Sequence, residues 1–109
     1  MNATANQSRG KKSKRISAFN TNPVYTIEFK PSALKQLYKL PRLAGIRAAE
    51  KIDRLARNPR PPGVEKMSGY KDYYRIRVGD YRVIYSIKDD ILLVLVVRIG
   101  ARKDVYRDF

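Results

Sequence analysis

Thirteen residues near the middle of the chain constrain its fold more than any other stretch: Tyr73–Tyr85, with the sequence YYRIRVGDYRVIY. They read as two short strands joined by Gly79-Asp80, a two-residue connection typical of a tight hairpin in which Gly supplies a positive φ. Such a turn sets the register and places Arg77 opposite Arg82. The same register predicts three further cross-strand pairs: Val78–Tyr81, Ile76–Val83 and Arg75–Ile84.

Side chains alternate between the two faces of such a ribbon. One face is apolar and is predicted to lie on the core: Tyr74, Ile76, Val78, Tyr81, Val83 and Tyr85. The other face carries Tyr73, Arg75, Arg77, Arg82, Ile84 and Ser86. Two arginines directly opposite each other destabilise a hairpin by up to roughly 1 kcal/mol. We expect no acid on this face, so the arginines are predicted either to point into water or, as we favour, to hold an anion such as phosphate.

Composition limits the classes of function that remain. The 109 residues carry a net charge of +14 and include neither His nor Cys, which removes the usual general base and the common ligands of structural zinc. Residues 1–22 contain five basic residues and no acid, a composition that predicts a disordered basic tail. Residues 23–109 hold the other 19 basic residues and all 10 acidic ones, and their length predicts one domain. A domain this basic predicts a polyanionic partner, and the lack of Cys is consistent with a cytoplasmic location.

The rest of the chain predicts an α+β domain with the order β-α-α-β-β-β. Alternation predicts a strand over Tyr25–Phe29, and the longest apolar run, Ile91–Val97, predicts an interior strand that is far too short to cross a membrane. Between these strands the pattern predicts two amphipathic helices. Their inward-facing residues are predicted to be Leu34, Leu37 and Tyr38 in the first helix, and Ile46, Ala49, Ile52, Leu55 and Ala56 in the second. We expect a mainly antiparallel four-stranded sheet with this helical hairpin on one face and the other face open.

Three segments together resemble the RelE/ParE superfamily of toxins, and most of all the RelE-type mRNA interferases: KPSALKQLYKLP, the hairpin YYRIRVGDYRVIY, and the ending VVRIGARKDVY. The resemblance covers roughly residues 24–107. It implies a RelE-like fold and a toxin that enters the ribosomal A site and cuts mRNA without a metal or cofactor, the ribose 2′-OH attacking the adjacent phosphate. It also implies a cognate acidic, RelB-like antitoxin as partner, besides mRNA and the ribosome.

By position, the resemblance implies five catalytic residues: Arg75, Arg77, Arg82, Arg102 and Tyr106. Four further residues are predicted to bind RNA: Lys66, Lys71, Tyr73 and Lys103. Arg75 and Arg77 match basic residues that flank the scissile phosphate in RelE, while Tyr106 matches a C-terminal Tyr that stacks on a base.

Two departures from the family pattern bear on the chemistry. Many relatives have His where this chain has Ala101, and RelE has Lys where this chain has Arg75 and Arg77. Arg stays protonated and is a poor proton acceptor, so the pattern predicts catalysis mainly by cations that stabilise the phosphorane. The general base stays open among Glu65, Tyr73, Tyr106, a ribosomal RNA group and water. Two other functions also stay open: a ParE-like inhibitor of DNA gyrase and a non-catalytic protein that binds RNA or the ribosome.

Overall fold

The protein is a mixed α+β fold in a computed structural model that describes residues 24–69 and 72–106. Its elements are β1 (Thr26–Phe29), α1 (Pro31–Lys39), α2 (Arg42–Arg54), β2 (Glu65–Lys66), β3 (Tyr73–Val78), β4 (Tyr81–Lys88), a 3-10 turn (Asp89–Ile91) and β5 (Leu93–Ala101). The strands form one sheet in the order β1-β5-β4-β3-β2. Because β1 runs parallel to β5 and all other neighbours are antiparallel, the predicted class and the mainly antiparallel sheet are confirmed.

The strand inventory differs from the prediction in two places. A fifth strand, β2, is only two residues long and lies in a stretch to which the sequence pattern assigns no element. The last strand begins at Leu93 rather than at Ile91, because the 3-10 turn includes Ile91 and Leu92 takes a left-handed φ of 52°. Ile91 is consequently 65% exposed instead of lying inside the sheet.

The hairpin of β3 and β4 forms in the predicted register. Arg77 lies opposite Arg82, and the pairs Val78–Tyr81, Ile76–Val83 and Arg75–Ile84 are all present. Gly79 has a φ of +58°, a conformation that residues with a side chain rarely adopt. The two-residue turn therefore fixes which side chains share a face.

The main core lies between the two helices and one face of the sheet. The predicted inward faces are confirmed in part: Leu37 of α1 packs on the core, and Ile52 and Leu55 are buried in it. The faces are rotated from the prediction at other positions, since α1 buries Ala33 while Tyr38 is 77% exposed. In α2, Ala48 is buried, whereas Ile46 is 45% exposed. The sheet contributes buried side chains from β3, β4 and β5: Ile76, Val78, Val83, Tyr85, Ile87, Val94, Val96 and Ile99.

The opposite face of the sheet is not open, which corrects the prediction. A second apolar cluster forms there from Met67, Ile84, Val97 and Val105, all buried. The residues after β5 turn back over this face, since the N–H groups of Asp104 and Val105 both donate to the Ala101 carbonyl at 2.9 Å. Partly buried side chains complete the cluster: Tyr73, Leu95 and Tyr106.

Some predictions concern residues outside the described ranges. These are the disordered tail over residues 1–22 and the assignment of Lys71 to RNA binding. Within residues 24–69 and 72–106, no helix is long and apolar enough to span a membrane.

Candidate functional site

The two facing arginines of the hairpin share an acceptor at the turn. Arg77 donates from Nε to the Gly79 carbonyl at 3.4 Å, and Arg82 donates from Nη1 to the same oxygen at 3.5 Å and to the Tyr81 carbonyl at 3.1 Å. A carbonyl dipole between two guanidinium groups offsets part of their repulsion. Arg77 is exposed and Arg82 half-buried, so both keep donors available for an external anion.

The third arginine of the ribbon is held by two side chains. Arg75 donates from Nε to Glu65 Oε1 at 2.6 Å and from Nη1 to the Tyr106 hydroxyl at 3.0 Å. Its guanidinium carbon also lies 5.4 Å from the centroid of the Tyr106 ring. The hydrogen bond to Glu65 is the main cause that raises the pKa of Arg75 above its ordinary value. The expectation that this face carries no acid was therefore wrong: Glu65 lies on the short strand β2, directly opposite Arg75.

A cavity of about 630 Å³ brings these groups together with two cations from α2. It is lined by Lys51, Arg54, Pro61, Pro62, Gly63, Glu65, Arg75, Ile76, Arg77 and Arg82. Lys51 and Arg54 are three residues apart and so share one face of the helix. Lys51 Nζ donates to the Arg77 carbonyl at 2.7 Å, on the part of β3 that β2 does not pair. Among the described lining residues, five are cations and one is an acid.

Sequence reasoning missed Lys51 and Arg54, which the helical pattern assigns to a solvated face. The three-residue spacing of these two cations is the only feature of the local sequence that could have indicated a shared site, and the same spacing occurs on most amphipathic helices. Only the packing of α2 beside β3 gives these two residues a place in the cavity.

The segment after β5 reaches the same end of the hairpin. The Arg102 N–H donates to the Asp80 carbonyl at 2.9 Å, which attaches this segment to the hairpin turn. Arg98 Nη1 donates to the Val105 carbonyl at 3.2 Å and holds the segment further along. These contacts hold the segment beside the hairpin of β3 and β4, where the Tyr106 hydroxyl accepts the hydrogen bond from Arg75. Arg102 itself is exposed, and neither Arg102 nor Tyr106 lines the cavity.

The remaining predicted RNA-binding residues lie elsewhere. Lys66 pairs in register with Tyr74, whose side chain packs on the main core, so Lys66 belongs to the face of the sheet opposite Glu65. Tyr73 packs on the second apolar cluster, where it has a structural role. Lys103 is exposed in the turn after β5. The structure thus brings Arg75, Arg77 and Arg82 into one cavity and leaves these three residues outside it.

A second charged cluster stands apart from the cavity. Arg60 donates from Nη2 to Asp89 Oδ2 at 2.9 Å, from Nη1 to Asp89 Oδ1 at 3.2 Å and from Nε to the Tyr74 hydroxyl at 3.2 Å. The Tyr25 hydroxyl donates to Asp89 Oδ1 at 2.7 Å. The bonds from Arg60, followed by the one from Tyr25, lower the pKa of Asp89 to about 2. This cluster joins the start of the sheet to the turn before β5. Among the described residues, no group of three or more carboxylates is arranged to hold a metal ion.

Comparison with known proteins gives a consistent result. Residues 27–106 match the model of a family described as the ParE toxin of type II toxin-antitoxin systems. A putative RelE-like toxin of Escherichia coli is 35% identical over 86 residues, which cover 75% of this chain and 90% of that protein. The mRNA interferase toxin RelE of Escherichia coli K12 is 28% identical over 88 residues, covering 77% of this chain and 92% of that toxin.

A solved structure matches the fold as well as the sequence. The archaeal RelE–RelB complex from Pyrococcus horikoshii OT3 contains a chain that superposes with a TM-score of 0.66 at 31% identity, covering 75% of this chain and 99% of that one. The likeness therefore extends over nearly the whole length of the relative.

Proposed function

This chain belongs to the RelE/ParE family of toxins of type II toxin-antitoxin systems, and on that basis we propose that it is a ribosome-dependent endoribonuclease that cuts mRNA in the A site. The observation that carries the proposal is the convergence of Arg75, Arg77 and Arg82 on one cavity that also receives two cations from α2. A relative named as an mRNA interferase supports the same activity. The site of action is then the cytoplasm, where ribosomes translate.

The proposed chemistry depends on cations that stabilise negative charge in the transition state. In a 2′-OH attack on the adjacent phosphate, negative charge builds on the non-bridging oxygens of the phosphorane. Donors that are already in place stabilise that charge, and removal of one such donor costs roughly 2.7–4 kcal/mol of transition-state energy in other enzymes. We assign this role to Arg77 and Arg82, whose positions are set by the hairpin register, and to Arg75 beside them.

Arg102 and Tyr106 extend the proposed site beyond the cavity. Arg102 follows the end of β5 and is attached through its N–H to the hairpin turn, so its exposed side chain is available to a second phosphate. The Tyr106 ring packs on the guanidinium of Arg75. A ring held this way offers a base a stacking surface next to the proposed scissile phosphate.

A different function on the same fold is ParE-like inhibition of DNA gyrase without cleavage, which the description of the matching family model favours. The arginine-lined cavity favours the nuclease. A non-catalytic protein that binds RNA is the third alternative, motivated by Ala101 in place of the His of many relatives. Mapping of mRNA 5′ ends after induction separates the three functions. Breaks within codons of translated mRNA indicate the nuclease, DNA damage with intact mRNA indicates the gyrase inhibitor, and intact mRNA and DNA indicate the non-catalytic protein.

The central test is single-turnover cleavage on a programmed ribosome at saturating toxin. We expect Arg82→Ala to lose most of the rate, roughly 100-fold or more, while keeping much of its ribosome affinity, since its cation acts mainly on the transition state. Arg102→Ala should lose less. Arg42→Ala is the matched control, because it removes one exposed positive charge at the start of α2, nine residues before Lys51, and Arg42 does not line the cavity. Equal rates for Arg82→Ala and Arg42→Ala would contradict the proposed site.

We also propose that the toxin binds a cognate acidic antitoxin. A net charge of +14 favours such a partner, and the archaeal relative is solved in complex with RelB. We expect a neighbouring gene to encode a small acidic protein whose co-expression restores growth and yields a complex that survives size-exclusion chromatography. Failure of both results would count against this partner.

A further inference from the structure

We infer that Glu65 is the general base of the proposed cleavage, the group that takes the proton from the attacking 2′-OH; this inference rests on the proposed function. The cavity gives the first reason. Of its described lining residues, Glu65 is the one that carries an anionic oxygen, and the charged groups around it are cations: Lys51, Arg54, Arg75, Arg77 and Arg82.

The other candidates in the chain are poorly suited to accept a proton. Arginine stays protonated in proteins, and the chain has no His. Lys51 Nζ is already engaged as a donor to the Arg77 carbonyl. The Tyr106 hydroxyl already accepts a hydrogen bond from Arg75 and would have to lose its own proton before it could act. Tyr73 packs on the second apolar cluster and does not line the cavity.

The short strand β2 places Glu65 where a base is needed. Glu65 lies directly opposite Arg75 in the ladder between β2 and β3, so their side chains share the face that carries the arginines. Arg75 Nε binds Oε1 at 2.6 Å, and no described residue donates a hydrogen bond to Oε2. The Glu65 side chain is 62% exposed, so a bound RNA can reach its free oxygen.

Arg75 connects the base to the phosphate. In the proposed reaction the 2′-oxygen and the 3′-oxygen of the attacked phosphate are bonded to adjacent ribose carbons. The proton acceptor must therefore lie within a few ångströms of the groups that bind this phosphate. A guanidinium that binds Glu65 through Nε keeps other N–H donors for the phosphate. The ion pair also orients the carboxylate, as the carboxylate of a catalytic triad orients its histidine.

The step balances without a further reactant. Glu65 takes the 2′-OH proton as the 2′-oxygen forms its bond to phosphorus. The bond between phosphorus and the 5′-oxygen breaks, its electron pair leaves with that oxygen, and water supplies the proton that makes it a 5′-OH. The products are a 2′,3′-cyclic phosphate and a 5′-hydroxyl end, and Glu65 returns its proton to solvent.

Three variants test the assignment on programmed ribosomes at saturating toxin. We expect Glu65→Gln to lower the single-turnover rate by roughly 10²–10⁴-fold, the usual contribution of a general base, with ribosome affinity within a few-fold of wild type. Glu65→Asp keeps a carboxylate and should recover part of the rate. Glu28→Gln is the matched control, because Glu28 is an exposed acid on β1, at the other edge of the sheet from β2.

A purely structural role of Glu65 predicts a different outcome. Gln can still accept the hydrogen bond from Arg75, and the lost negative charge leaves the cavity more basic. If Glu65 served only to position or neutralise Arg75, Glu65→Gln would cleave at the wild-type rate or faster, which would overturn the assignment. If wild type cleaved no ribosome-bound mRNA at all, the proposed function would fail, and this inference with it.

An mRNA with sulfur in place of the 5′-bridging oxygen at the cleavage site distinguishes a base from an acid. A thiolate leaves without needing a proton, so this substrate bypasses the step that an acid assists. The Glu65→Gln defect should persist on it at about the same fold, because the nucleophile still has to be deprotonated. Recovery of Glu65→Gln to the wild-type rate on the thio substrate would identify Glu65 as the acid and overturn the proposal.

Discussion

Like charges that face each other in the hairpin are a local cost that the fold does not remove. Arg77 and Arg82 stand opposite each other, and they are held by hydrogen bonds to backbone carbonyls of the turn, two of them long at 3.4 and 3.5 Å. Arg75, one step along the same face, is paired with Glu65. Of the three arginines on this face, the two without an acidic partner are therefore at the turn end of the hairpin, where the proposed phosphate contacts lie.

We expect Arg82→Gln to leave the free energy of unfolding unchanged or to raise it by up to about 1 kcal/mol, because the substitution removes a like-charge pair. Ile76→Ala, two strand positions from Val78 on the core face, should instead cost roughly 2–5 kcal/mol through lost burial and a cavity. Urea unfolding of both variants checks this expectation. A drop of more than about 1 kcal/mol for Arg82→Gln would mean that the turn depends on the guanidinium.

At the scale of elements, the ends of the sheet are held by side chains distant in sequence. Arg60 follows α2, Tyr25 precedes β1, and Asp89 begins the turn before β5, yet the three meet in one cluster. The Tyr85 hydroxyl adds a buried bond to the Pro59 carbonyl at 2.7 Å, and burial raises the pKa of that phenol above its ordinary value. These bonds attach the loop after α2 to β3, to β4 and to the turn before β5.

The ion pair of Asp89 makes stability depend on acid. Because the folded-state pKa of Asp89 is lowered from 3.8 to about 2, its contribution is present above about pH 4 and is lost as the pH falls through about 2. Asp89→Asn should therefore unfold at a lower temperature than wild type at pH 5, and the gap should narrow at pH 2. Thermal melts at both pH values measure it, with Asp90→Asn, the exposed neighbour, as control. A gap of the same size at both pH values would contradict the proposed linkage.

The predictability of each element follows from how local its determinants are. The hairpin register could be predicted because a two-residue turn with Gly79 leaves one way to pair the strands. The faces of the helices could be predicted only in part, because small residues such as Ala33 add little to an apolar stripe, whereas Tyr38 adds much and still lies in solvent. Nothing local reveals β2, whose two residues become a strand only beside β3. Glu65 could be named as a candidate base from sequence, but its ion pair with Arg75 could not.

At the scale of the whole molecule, we expect two sets of cations to serve different steps of the proposed reaction. Residues 1–22 carry five of the positive charges, and residues 23–109 keep an excess of nine. Only a few of the latter line the cavity. Charges spread over a surface act on encounter and affinity, whereas charges aimed at one phosphate act on the transition state. Affinity and catalytic rate should therefore respond differently to salt.

Salt and deletion of residues 1–22 together separate these two contributions. Each cation that displaces a counterion from RNA phosphate adds roughly 0.7–0.9 to the slope of log affinity against log salt. We expect the toxin's affinity for ribosomes to fall steeply between about 50 and 200 mM salt, a range over which 6–10 phosphate contacts lose roughly 10³–10⁵ in affinity. Deletion should make the slope shallower by up to about 4, because it removes five cations.

The single-turnover rate at saturating toxin should stay within about two-fold of the full chain, since those cations are expected to take no part in stabilising the phosphorane. Filter-binding titrations across salt, with the saturated cleavage rate measured at each point, give both quantities on one preparation. Loss of the saturated rate on deletion, with the salt slope unchanged, would place residues 1–22 in the catalytic step and refute the separation of binding from catalysis.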